Sequence, residues 1–140
     1  MSYEGEIYVS RNHGNKWNNL QPFIKKSTNS YYGISWKFTV MSHSRVDHDN
    51  IIVSSDTRNN WVTKDCGETW KLIDDSLNLH GFKFHPSSPG KILALKRMIC
   101  GPSAGIDCIE HNVLYLSEDY GFSWRQIEKY VYDYIWGREA

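Results

Sequence analysis

The residues best suited to chemistry are two aspartates, Asp65 and Asp119, which invite an acid/base or metal-ligating assignment. Each stands third in an octet of fixed layout: Thr63-Lys64-Asp65-Cys66-Gly67-Glu68-Thr69-Trp70 and Ser117-Glu118-Asp119-Tyr120-Gly121-Phe122-Ser123-Trp124. A further octet, Ser10-Arg11-Asn12-His13-Gly14-Asn15-Lys16-Trp17, carries Asn12 in that place and keeps the acceptor oxygen. Asp or Asn accepts backbone N–H groups in an Asx-turn, and a glycine two positions on supplies a positive φ without a Cβ penalty. A turn therefore explains the spacing with no catalysis. Ser10, Asn12, Gly14, Trp17, Thr63, Asp65, Gly67, Trp70, Ser117, Asp119, Gly121 and Trp124 are expected to be structural, and no catalytic residue is assigned.

His43, Asp47, His48 and Asp49 form the one cluster of metal-ligand type, but they fall in an expected loop beside serines and lack a second cluster. The expectation is a solvated turn, with no metal and no cofactor. His80, His85 and His111 could titrate between neutral and endosomal pH, since free imidazole has a pKa near ~6.5. Of three cysteines, Cys100 and Cys108 are close enough for a loop disulfide, a pairing that proximity does not decide. Cys66 occupies a variable octet position and reads as a surface thiol.

The elements that must hold the octets follow from their flanks. An apolar, alternating segment precedes each octet (6–9, 60–62, 113–116) and another follows it (17–20, 70–73, 124–127), so each octet is the turn of a β-hairpin. The tryptophan opening each returning strand can cover the hairpin's open end. Further strands are expected at 34–40 and 50–54 before the second hairpin, and at 81–85 and 91–96 before the third. His85-Pro86-Ser87-Ser88-Pro89-Gly90 is the turn joining the latter two, and 43–49 is its counterpart.

Four strands per repeat, with the third octet positions 53 and 54 residues apart, describe blades slightly longer than the ~40–50 residues usual in propellers. The fold class is all-β: a partial β-propeller of four-stranded antiparallel blades, two whole and two partial. Residues 1–30 end one blade, 31–78 and 79–129 are blades, and 130–140 supply the first strand of the next. Closed propellers generally use at least four blades. The chain is thus expected to belong to a longer protein or to self-associate through open blade edges.

With 40% hydrophobic and 23% charged residues the chain reads as an ordinary folded protein, and 14% aromatic content suits strands. Sixteen basic residues balance sixteen acidic ones, leaving no field to hold a nucleic acid. Apolar runs fall far short of the ~20 residues of a bilayer span, and residues 1–11 lack a signal-peptide layout. No nucleic acid and no membrane contact by this segment are expected.

The octets match the Asp-box, or BNR, signature. The order Phe84-His85-Pro86, Lys91-Ile92-Leu93-Ala94-Leu95, Val113 to Gly121, then Val131 with Trp136-Gly137 resembles a blade of the Vps10/sortilin-type sorting receptors running into the next. The specific portion is the C-terminal half, and 99–112 follow no pattern placed by it. The resemblance implies a luminal propeller of about ten blades that captures cargo peptides or proteins in Golgi-to-endosome or vacuole sorting and releases them on acidification. Residues contacting cargo are not implied.

The rival class is an Asp-box sialidase or glycoside hydrolase fragment, which needs an arginine cluster, a Tyr/Glu pair and an acid. Arg45, Arg58, Arg97 and Arg125 are scattered and none stands in an Arg-Ile-Pro motif, so the segment is expected not to be an enzyme. A third reading is an interaction module that builds a propeller from several copies.

Overall fold

Residues 51–55 and 60–63 alternate in a way that leaves apolar side chains on both faces, as in a strand pair sandwiched between two neighbours. The computed structural model, which describes residues 6–20, 37–74, 76–103 and 105–137, places them so. Ten strands follow in order: β1 (Tyr8–Val9), β2 (Asn18–Asn19), β3 (Phe38–His43), β4 (Ile51–Ser55), β5 (Asn60–Thr63), β6 (Lys71–Leu72), β7 (Leu79–Phe84), β8 (Ile92–Met98), β9 (His111–Ser117) and β10 (Arg125–Glu128). No helix occurs among the described residues.

They form a β1-β2 hairpin and two antiparallel meanders, β3-β4-β5-β6 and β7-β8-β9-β10, none closed on itself. These are two whole blades of a partial propeller and the last hairpin of another. Each octet links the last two strands of its sheet, as the flanking patterns indicate. Part of the strand expected at 34–40, and the division between 30 and 31, lie outside the described residues.

The core lies between blades. Ile7 and Leu20 of the first hairpin meet Phe38, Val53 and Trp61 of the middle blade. The opposite face of that blade gives Ile52, Val62 and Ile73 to a second cluster with Leu79, Ile92 and Ala94 of the last blade. Fully burying a Val, Leu or Ile side chain contributes about 1.5–3 kcal/mol. A ladder hydrogen bond nets only about 0.5–1.5 kcal/mol and acts within its sheet. Blade-to-blade cohesion therefore rests chiefly on these two clusters.

The stretch 131–137, expected to open another blade, joins no sheet. It lies along β7 and bonds to it through side chains. Tyr134 Oη donates to the Gly81 carbonyl, Trp136 Nε1 donates to the Lys83 carbonyl at 2.8 Å, and Lys83 Nζ donates to the Tyr134 carbonyl at 2.7 Å. Beside it, the pairing of β7 with β8 shifts register between His80 and Lys83, and Gly81 has φ +65°. A blade's first strand takes its ladder from the second strand of its own sheet, as β3 does from β4 and β7 from β8, and not from the blade before it.

Candidate functional site

Each octet closes on a shared hydrogen-bond pattern. The first-position hydroxyl accepts from the glycine N–H: Ser10 at 2.8 Å, Thr63 at 2.9 Å and Ser117 at 2.8 Å. The same hydroxyl donates to Oδ1 of Asn12, Asp65 or Asp119. That Oδ1 also accepts the seventh-position N–H, from Lys16 at 2.8 Å, Thr69 at 2.9 Å and Ser123 at 2.8 Å. The tryptophan Nε1 then donates to the glycine carbonyl at 3.0, 3.1 and 2.9 Å for Trp17, Trp70 and Trp124. Trp70 and Trp124 pack on the inter-blade clusters, whereas Trp17 is 60% exposed.

Burial raises the Asp65 carboxyl, but hydrogen bonds from Thr63 and Thr69 together outweigh it and hold the group below 3.8. Asp119 is lowered likewise, with Ser123 and Ser117 overcoming burial. Carboxylates held ionised by turn donors are poor proton shuttles near neutral pH. Sequence reasoning gave positive φ to the glycines alone, yet His13, Cys66 and Tyr120 also sit at φ 58°, 56° and 68°. Three dissimilar side chains gave no signal for it.

Successive corners are linked. Arg11 in the second octet position meets Glu68 in the sixth position of the next octet at 2.7 Å. Lys64, again second, lies 5.1 Å from the Phe122 ring centroid, again sixth, and Lys71 Nζ donates to the Phe122 carbonyl at 2.9 Å.

Concavities among the described residues include two between the whole blades. A groove of about 450 Å³ runs along the first strands β3 and β7, lined by Met41, Ser42, His43, Arg45, Phe82 and Lys83 among others. A cleft of about 530 Å³ opens beside the β4–β5 turn, with Arg58, His80 and Arg97 on its walls. Two of the arginines that look scattered in sequence thus share one cleft. None of its lining residues among those described is a carboxylate, so the acid a glycosidase needs is not supplied there.

The remaining candidates have separate surroundings. Asp47 Oδ1 accepts the Asp49 N–H at 3.2 Å inside the β3–β4 turn, and the His43 and His48 rings are 6.3 Å apart. No cluster of three or more metal-ligating groups forms among the described residues. His85 is buried, its Nδ1 accepting from Ser87 and Ser88 N–H at 3.1 and 2.9 Å. His111 stacks on Tyr130 at 4.0 Å. Arg125 pairs with Glu118 at 3.6 Å. Cys100 and Cys108 are disulfide-bonded with Cα atoms 6.0 Å apart, and Cys66 is free and half-buried.

The model of the Sortilin-Vps10 family, described as Sortilin, neurotensin receptor 3, matches residues 5–140. No curated protein matches the chain.

Proposed function

We propose, on the premise that the chain belongs to the Sortilin-Vps10 family, that this receptor segment is a non-enzymatic cargo-binding scaffold in protein sorting between Golgi and endosome or vacuole. The octets are Asp-box corners that stiffen the scaffold, and the ligand face is the groove between β3 and β7. The observation that supports this reading is the pairing of apolar Met41 and Phe82 with basic Lys83 along two adjacent first strands, and with Arg45 of the β3–β4 turn. Such a groove suits an extended peptide, with backbone bonds giving affinity and side-chain pockets giving specificity. The 131–137 stretch already lies along β7, its Tyr134 and Trp136 side chains donating to the Gly81 and Lys83 carbonyls.

The parent would act in the lumen of the Golgi, endosomal or vacuolar pathway, and no helix among the described residues is long and apolar enough to cross a membrane. The open blade edges would be covered by further blades or by a second copy. Panning the full 140-residue chain against a displayed library of extended peptides tests the groove. Enriched peptides should lose binding to the Met41→Glu and Phe82→Glu variants by tenfold or more, about 1.4 kcal/mol. Unchanged binding by both folded variants would remove the groove from the reading.

A further inference from the structure

The cleft beside the β4–β5 turn collects polar groups that the fold does not use. Arg58 comes from that turn, His80 from β7 and Arg97 from β8, so three segments of two blades converge on it. Several of its polar side chains are already engaged. Asn60 Nδ2 donates to the Leu79 carbonyl, Asn60 Oδ1 accepts from Ser54, and the Ser55 hydroxyl bonds Thr57. Arg58 has no ion-pair partner among the described residues, and the amides of Asn78 and Asn112 take no side-chain hydrogen bond there. Arg58, in the β4–β5 turn, and Asn78, just before β7, are also held in the left-handed region, φ 65° and 46°. Left-handed side-chain-bearing residues cost energy and recur at ligand clamps.

The charge balance narrows the ligand. Arg97 pairs with Glu110, which does not line the cleft, at 3.2 Å, so the two guanidiniums leave one net positive charge, and a protonated His80 would make two. Partial burial lowers the imidazole first, and the positive charges of Arg97 and Arg58 lower it further. Lys96, on the same strand as Arg97, acts on Asp74 rather than on His80. The apolar walls, Val40 and Leu79, leave room for an organic group beside the anion.

We propose that this inter-blade cleft binds a phosphate monoester, its dianionic phosphoryl group held by Arg58, Arg97 and the amides of Asn78 and Asn112, with His80 taking up the compensating proton. Planar guanidinium forks match phosphate oxygens bidentately. A monocarboxylate, with one negative charge in place of two, would raise the imidazole less.

The test follows the His80 imidazole by NMR in the intact chain, titrated with phenyl phosphate, inorganic phosphate and benzoate. Phenyl phosphate should bind saturably and raise the His80 pKa by about half a unit or more, leaving His85 and His111 unmoved. Inorganic phosphate should do the same more weakly, for want of the apolar contact. Arg58→Gln and Arg97→Gln, both at exposed positions, should each weaken binding about tenfold while unfolding at the wild-type denaturant midpoint. No His80 response to either phosphate overturns the proposal. Equal effects of benzoate and phenyl phosphate overturn the ligand class, and wild-type affinity in both arginine variants overturns the site.

Discussion

Asn50, wholly buried in the middle blade, holds the corner of the next blade by its backbone: its Nδ2 donates to the Tyr120 carbonyl at 2.9 Å and to the Thr63 carbonyl at 3.0 Å. One amide thus ties two octets on neighbouring sheets. Asn50→Ala leaves both carbonyls without that donor and should cost about 1–3 kcal/mol in urea unfolding. Asn50→Asp has the same shape but sets carboxylate oxygen against carbonyl oxygen, and should cost more, about 3–5 kcal/mol. Wild-type stability in Asn50→Asp would show that shape, not the donor, matters.

Acid should loosen the corners. The native carboxyls of Asp65 and Asp119 lie below 3.8, so as pH falls the unfolded chain takes up protons first. Their contribution is full above about pH 4 and is lost as pH drops through the lowered native values. The Asp65→Asn/Asp119→Asn double variant keeps the acceptor oxygen, as Asn12 does, and should lose stability less steeply below pH 4. Identical acid slopes in the two proteins would place the acid response elsewhere.

The three octet glycines should not be equally replaceable. All have φ near +90°, a strain of about 1–2 kcal/mol for alanine. A Cβ on Gly14 would meet only Trp17 at 3.8 Å, but on Gly67 it meets Leu20 Cδ1 at 2.8 Å, and on Gly121 it meets Val62 Cγ2 at 3.1 Å. Gly67→Ala and Gly121→Ala should therefore lose about 1–3 kcal/mol more than Gly14→Ala, the usual cost of overpacking. Equal midpoint shifts in urea for the three variants would mean that backbone strain alone decides.

Thiol chemistry should be selective. Alkylation of the denatured chain without reductant should label Cys66 alone, and with reductant all three cysteines, as mass spectrometry would count. Loop closure across this short bridge limits its stabilisation to about 2–3 kcal/mol. Cys100→Ser/Cys108→Ser should therefore lower stability by no more than that, with the two blades still folded. Labelling of Cys100 without reductant would contradict the bridge.

The sequence by itself determined the hairpins, the four-stranded repeat and the all-β class, because each octet closes within eight residues and each strand declares itself by alternation. Ser10, Asn12, Gly14 and Trp17 need only one another to make their corner, so spacing suffices to find it. Tertiary structure decided what depends on two blades meeting. Arg58 and Arg97 stand 39 positions apart in the sequence and share a cleft only once the second cluster of apolar side chains has packed the sheets together. Asn50 reaches Tyr120 for the same reason. The 131–137 stretch alternates like a strand, and where it meets β7 it does so through side chains rather than a ladder. Periodicity records which face of a segment is apolar, whereas the partner that covers that face is set by long-range packing.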